Sequence, residues 1–269
     1  MTLTSLLLIN FALLIAVIIA LWLVAVKIRD VSFIDAFWAF GMVLLSWSSW
    51  FLSDAPMNMG AILLGLVTIW GMRLSLHLFT RWRAHGEDKR YKKIIEGVMT
   101  QRGWSWRKTA LIMVFLMQAP LLFITCLPAQ IGIWAASYAP QQFLSPLALF
   151  GILIAVIGIL FETIGDDQLT KFARNPNNSG KVLDTGLWRY TRHPNYFGDF
   201  TTWWGIWIVS ASIAGWVGAA SLIGPLFLSF TLMKWSGAPL LERGMRKRRA
   251  GYDNYIARTS EFFPWPPKI

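Results

Sequence analysis

Charge is scarce in this chain. Of 269 residues only 14% are Asp, Glu, Lys or Arg, against about a quarter in an ordinary soluble domain, and the mean hydropathy is +0.49. That balance excludes a disordered polar chain, and no low-complexity tract, internal repeat or heptad pattern points to collagen or a coiled coil. Cysteine is nearly absent. Cys126 stands alone inside an apolar stretch, so no intrachain disulfide or thiolate metal cluster can form, and a structural thiol is the simplest role. There are three histidines and no His-x-x-x-His pair. Glu162, Asp166 and Asp167 gather acid near the end of one apolar stretch, but with only His77 and His193 as nearby ligands no metal site is expected.

Long apolar runs and tryptophan are what the chain has in abundance. Hydrophobic residues make up 55%, in blocks about as long as the roughly 20 residues needed to cross a bilayer at 1.5 Å each. The expected fold is an all-α polytopic membrane protein, a single membrane-embedded domain over 1–269. About seven transmembrane helices are drawn, near 4–26, 31–52, 59–79, 109–131, 143–164, 196–213 and 216–235, the last two as a tight hairpin. Many of the 16 Trp, among them Trp22, Trp50, Trp104, Trp106, Trp134 and Trp235, fall near block ends, where indole rings favour the headgroup level. Pro120 and Pro128 are placed to kink the fourth span.

The formal net charge of +11 is distributed by topology rather than by a nucleic-acid surface. Lys and Arg crowd the segments after spans 1, 3, 5 and 7, while 53–58, 132–142 and 214–215 contain neither. The positive-inside rule then places the N-terminus outside and the C-terminus in the cytoplasm. Met1-Thr2-Leu3-Thr4 lacks the basic start of a cleaved signal, so span 1 is expected to remain as an anchor.

Ionisable groups at membrane depth or at its boundary are costly, at about 2.5 to 3.5 kcal/mol each in the middle of a span. They mark candidate sites: Asp35 in span 2, Arg73 and His77 in span 3, Glu162, Asp166 and Asp167 ending span 5, and Asp199 opening span 6. Arg73, His77 and Arg81 recur every four residues and share a helix face; snorkelling to lipid phosphates is the alternative, chiefly for Arg81. For Asp35 the alternative is a structural pair with Arg73. Glu87-Asp88-Lys89-Arg90-Tyr91 reads as a loop folding back onto the cytoplasmic face, or else as a solvated charge run.

The most informative stretch is Gly186-Leu-Trp188-Arg189-Tyr190-Thr-Arg192-His193-Pro194-Asn195-Tyr196-Phe-Gly-Asp199, with Trp203-Trp204-Gly205 beyond it. Pro194 suits a first helical turn, whose N–H groups attract anions. Arg189 and Arg192 offer forked donors for phosphate or carboxylate, while Trp188, Tyr190 and Tyr196 offer faces for a planar base. The combination describes a pocket for an anionic, aromatic-bearing cofactor.

This stretch closely resembles the C-terminal signature of the steroid 5-alpha-reductase family, in its bacterial membrane branch. The agreement extends to Trp70-Gly71-Met72-Arg73-Leu74-Ser75, to Glu87-Asp88-Lys89-Arg90-Tyr91, and to Gly251-Tyr252-Asp253-Asn254-Tyr255 through Phe263-Pro264-Trp265-Pro266-Pro267. The wider superfamily includes sterol reductases and isoprenylcysteine carboxyl methyltransferases, which share Arg-His-Pro-x-Tyr but use S-adenosylmethionine. Asn195 and Asp199 match the reductases, whose corresponding residues contact NADPH, and Asp167 and Arg174 fall where reductases place an acid and an arginine around that cofactor.

The resemblance thus implies NADPH bound by Arg73, Arg81, Asp167, Arg174, Arg189, Arg192, His193, Asn195, Tyr196 and Asp199. It implies a cytoplasm-facing cofactor site in a bacterial inner membrane and a hydrophobic small-molecule substrate arriving through membrane lipid. The implied reaction reduces a carbon-carbon double bond conjugated to a carbonyl. At the substrate end the chain departs from the family: span 2 has no Gln-Glu pair, only Asp35, and the tyrosine of the span 3 pattern is replaced by Leu78. A protonated Asp35 or His77 is therefore assigned to polarise the carbonyl, and His77 or Tyr91 to supply the proton. An S-adenosylmethionine-dependent methyltransferase acting on a lipid or prenylated thiol is the second reading, and a non-catalytic lipid-binding or transport protein the third; neither a nucleic-acid partner nor a particular oligomeric state is implied.

Overall fold

The computed structural model describes residues 1–54, 59–138, 144–235, 237–238, 242, 244–246 and 249–268. Most of the 53–58 segment, the end of the 132–142 segment, and Arg243, Lys247 and Arg248 of the basic tail lie outside the described residues. Those described are helical with no strand, and six helices among them are long and apolar enough to cross a membrane. The chain divides into two compact units: residues 1–144 with 210–221, and residues 145–209 with 222–269.

The first unit begins with α1, Leu3–Ile28, capped by Thr2, whose hydroxyl accepts from the Ser5 N–H at 3.2 Å. α2 is Ile34–Ser53 and α3 is Met59–His85. α4, Lys89–Arg102, starts at an Asp88 cap and ends at Gly103, which takes φ 65° to close the last turn. The fourth apolar stretch is broken rather than straight: α5, Trp106–Ala110, runs into a π-helical turn at Leu111–Leu116, then α6, Met117–Thr125, and α7, Leu127–Ala136. Pro120 lies inside α6 and Pro128 in the first turn of α7, the two kink positions expected from the sequence. Within lipid, helices gain little from burying apolar surface against each other, so close packing and polar bonds hold them. Asn10 provides such a bond in three directions: its amide donates to Ser49 Oγ at 2.8 Å and Gln130 Oε1 at 2.9 Å, and its carbonyl accepts from Ser48 Oγ at 2.6 Å.

The second unit is built on α8, Pro146–Arg174, and the first part of α9, Pro194–Ala220. They run antiparallel at very short range because side chains are missing where they touch. Gly151, Gly158 and Gly165 recur at seven-residue steps along α8 and meet α9 near Gly205, Gly198 and Pro194. A Cβ placed on Gly158 would stand 2.4 Å from the Thr202 backbone nitrogen, and one on Gly205 would stand 2.4 Å from that of Ala155. This is the small-residue contact that lets two backbones approach in a membrane.

The hairpin expected between the last two apolar stretches occurs at Gly215, with φ 56° and ψ −128°. The chain turns so sharply that a Cβ on Gly218 would lie 2.4 Å from the Ser210 carbonyl oxygen. Beyond it, the 216–235 stretch continues as short pieces: the end of α9, then α10, Ile223–Phe230, and a π-helical turn at Thr231–Trp235. α11, Tyr252–Arg258, closes the described helices.

Candidate functional site

Two clusters of ionisable groups stand out, one in each unit. In the first, Asp35 sits in the opening turn of α2 and accepts hydrogen bonds from the Tyr91 hydroxyl and from Arg90 Nη2, the latter at 3.3 Å. Both donors come from the first turn of α4, so the stretch read as a loop is a short turn at Gly86 and Glu87 followed by a helix. Its start is fixed by a chain of bonds. Asp88 caps α4 by accepting from the Arg90 N–H at 2.8 Å and also takes Arg90 Nε at 2.9 Å and Nη2 at 2.7 Å. The Asp88 N–H donates to Ser32 Oγ at 2.7 Å, and Asp30 accepts from the Ser32 N–H and from the Trp82 indole, each at 2.7 Å.

The Tyr91 phenol is pushed well above its ordinary value, first by burial and then by the neighbouring Asp35 carboxylate. It therefore stays protonated, with its proton directed at Asp35. On α3, the four-residue spacing puts Arg73, His77 and Arg81 on one face; Arg73 and His77 are partly buried and Arg81 is exposed.

In the second unit the organising residue is Glu242, which sequence reasoning missed. Its carboxylate accepts from Arg192 Nε at 2.7 Å and Nη2 at 3.3 Å, and from His193 Nε2 at 3.1 Å. Arg192 Nη1 also donates to the carbonyls of Thr259 at 2.8 Å and Ile256 at 3.4 Å. Four of the five guanidinium N–H groups are thus committed to protein acceptors. The side chains are hidden, 7% exposed at Arg192, 5% at His193 and 14% at Glu242. Burial alone would raise the Glu242 carboxyl, but the bonds from His193 and Arg192 outweigh it and bring it down to about 2. Burial, aided by the Glu242 charge, lifts the nearby Tyr252 phenol to about 12.

The other cofactor candidates of this unit differ in their surroundings. His193 stacks on Tyr196 with ring centroids 5.5 Å apart. Asn195 Nδ2 donates to Asp166 Oδ1 at 3.2 Å, and buried Asp199 follows one turn further along α9. Arg174 and Arg189 are exposed, whereas exposed Asp167 pairs with Lys171 at 2.7 Å. Trp188, read as a stacking face, anchors its own loop: its indole donates to the Gly165 carbonyl at 3.1 Å, and its carbonyl accepts from the Tyr255 hydroxyl at 2.5 Å.

One sequence signal could have found Glu242. It is the only acidic residue between Asp199 and Asp253, set in an apolar and basic stretch, and a carboxylate so placed calls for a cation to meet it.

Comparison with known proteins follows the same lines. Residues 21–259 match the family described as "Protein of unknown function (DUF1295)", and the chain belongs to this family. It is also similar to 3-oxo-5-alpha-steroid 4-dehydrogenase 1 of Bos taurus, 34% identical over 93 residues, 34% of this chain and 36% of that protein. Its Mus musculus counterpart is 32% identical over 98 residues, 36% of this chain and 34% of that protein. A shorter similarity, 36% over 59 residues, covers 22% of this chain and 20% of the protein named "Probable O-methyltransferase ustE" of Ustilaginoidea virens. The chain thus spans about a third of the length of the first curated relatives it matches. No solved structure matches it.

Proposed function

We propose that this protein is an oxidoreductase that uses NADPH to reduce a carbon-carbon double bond conjugated to a carbonyl in a steroid-like or isoprenoid-like molecule. The similarity to two mammalian 3-oxo-5-alpha-steroid 4-dehydrogenases supports the reaction class. The geometric observation that carries it is the Tyr91–Asp35 pair: a half-buried phenol that keeps its proton beside a carboxylate can turn that proton from Asp35 to an enolate carbon.

The donor set of the second unit fits a pyridine dinucleotide. Arg174 and Arg189 present exposed forked cations to its phosphates, and Asn195, Tyr196 and Asp199 add amide, phenol and carboxylate groups. Asp167 adds an exposed carboxylate; Arg73 and Arg81, on α3 of the first unit, are proposed as cofactor contacts from the sequence resemblance alone. Arg192 and His193 hold the opening of α9 in place rather than reaching outward. When bound, the cofactor supplies the hydride. The residues of the chain do the rest. Because Arg90 and Tyr91 both donate to Asp35, this reading gives Asp35 the accepting role, lets the Tyr91 hydroxyl carry the proton for the substrate alpha carbon, and leaves His77 to stabilise charge on the carbonyl oxygen.

Thermal shift of the purified protein tests this reading: NADPH raises the unfolding temperature, and S-adenosylmethionine leaves it unchanged. The opposite pattern would establish the second reading, methyl transfer to a lipid or prenylated thiol, which the 59-residue methyltransferase similarity favours. The asymmetry of Lys and Arg supports an outside N-terminus, an inside C-terminus and a cytoplasmic cofactor site in a bacterial inner membrane, with the whole chain acting as one functional domain.

A further inference from the structure

The last described residues, Phe262 to Lys268, form no helix or strand and yet are firmly held. The Trp265 N–H donates to the Tyr190 carbonyl at 2.9 Å, the Arg192 N–H to the Ser260 carbonyl at 2.9 Å, and the Lys268 N–H to the Arg258 carbonyl at 2.8 Å. The Thr191 hydroxyl donates to the Phe262 carbonyl at 2.7 Å. Phe262 and Phe263 pack on Phe200 with centroids 5.5 and 5.7 Å away. Such a segment would be expected to turn its rings inward. Instead Trp265 is 71% exposed, Phe263 54% and Tyr190 42%, a cluster of rings from two chain segments tied together by a backbone bond. A rigid exposed aromatic patch signals a surface that something covers.

The position of the patch identifies the cover. Phe197 and Phe200, against which the tail packs, lie in the first two turns of α9, a helix long and apolar enough to cross a membrane. Phe200 is about 9 Å along the axis from Pro194, so the rings stand at the level where a spanning helix leaves the hydrocarbon. Three prolines, Pro264, Pro266 and Pro267, remove backbone donors that would otherwise need water at that depth. Exposed Arg189 and Lys268 lie next to Tyr190 and within three residues of Trp265 in the chain, with exposed Glu261 as the opposing charge and Arg258 paired to Asp184.

We infer that the Tyr190–Phe263–Trp265 patch is a docking surface for the headgroup layer of the protein's own bilayer, with anionic phospholipids as the preferred contact. Because two backbone bonds and the Thr191 hydroxyl hold the segment beforehand, it seats at little ordering cost. It fixes the depth and tilt of the α8–α9 pair in the membrane.

Single-cysteine labelling of the full-length protein in vesicles tests this, since the native Cys126 is fully buried. A bimane probe at W265C or at K268C, the second of which keeps every ring, is compared with one at N177C in an exposed polar loop. Vesicles of phosphatidylcholine with and without phosphatidylglycerol are used. At 265 and 268, shallow doxyl-labelled lipid quenches emission about twofold and aqueous iodide quenches several-fold less than at 177, with the difference wider when phosphatidylglycerol is present. Replacing Phe263 and Trp265 by Ser in the K268C protein raises iodide quenching about twofold. Equal iodide quenching at 177 and 268, with no effect of doxyl lipid, would overturn the inference and leave a face open to water and to a soluble protein partner.

Discussion

The two carboxylate clusters use the same chemistry to different ends. Glu242 and Arg192 are nearly hidden, and their hydrogen-bonding capacity is almost entirely taken up within the protein. Asp35 and Arg90 remain 28% and 39% exposed, and Asp35 orients a phenol that still carries its proton. A buried, saturated pair has little left to give to a ligand and acts as a strut; a half-open pair with a proton on its edge can act on one. Similar arginine–carboxylate contacts are thus closed in one place and open to a ligand in the other.

The sharpest way to break this contrast is to remove the strut. Glu242→Ala leaves Arg192 and His193 buried without their anion and should cost about 3 kcal/mol of stability, read as a large fall in unfolding temperature in detergent. The carboxyl also makes stability depend on pH. Its folded value of about 2 lies below the ordinary 4.5, so its contribution is present above pH 4.5 and is lost as pH falls from there towards 2. Glu242→Gln should flatten the stability curve across that window.

Tyr91→Phe tests the other side. Turnover of an enone substrate should fall about a hundredfold, while the unfolding temperature and the NADPH affinity stay near those of the parent. A loss of folding instead would make this cluster a second strut. An intermediate effect is expected where two backbones touch: Gly158→Ala, whose new methyl meets the Thr202 backbone, should cost about 2 kcal/mol. Gly65→Ala, with no neighbour within 4 Å of the new carbon, should be close to neutral by the same melting assay. A loss confined to binding is expected at Arg189→Ala: affinity for NADPH weaker by about tenfold, or about 1.4 kcal/mol, with no change in melting, whereas Arg192→Ala should lower the melting temperature before any binding can be measured.

Much of the fold was legible because lipid leaves so few choices. Long apolar runs must be helices, and Pro194, Pro120, Pro128 and the Gly215 turn all punctuate the chain where local residue chemistry puts them. The seventh stretch was harder to read: hydropathy registers residues 216–235 as one run, but not the turns that divide it. The candidate site was legible by residue type more than by role. Asp35 and Tyr91 stood out as chemical groups, yet their pairing joins residues 56 apart and rests on where α4 begins, which Asp88, Ser32 and Asp30 decide together. Arg192 and His193 stand in the signature as candidate ligands, and the carboxylate that meets them, 50 residues beyond Arg192, leaves no trace in the local pattern.

The seven-residue recurrence of glycine along α8 also limits how the helix pair can move. Sliding one helix past the other by a single turn would drive side chains into the other backbone, and the next permissive alignment is a full seven residues away, about 10 Å. The pair is therefore locked in gear, and any motion that opens the protein must come from some other joint.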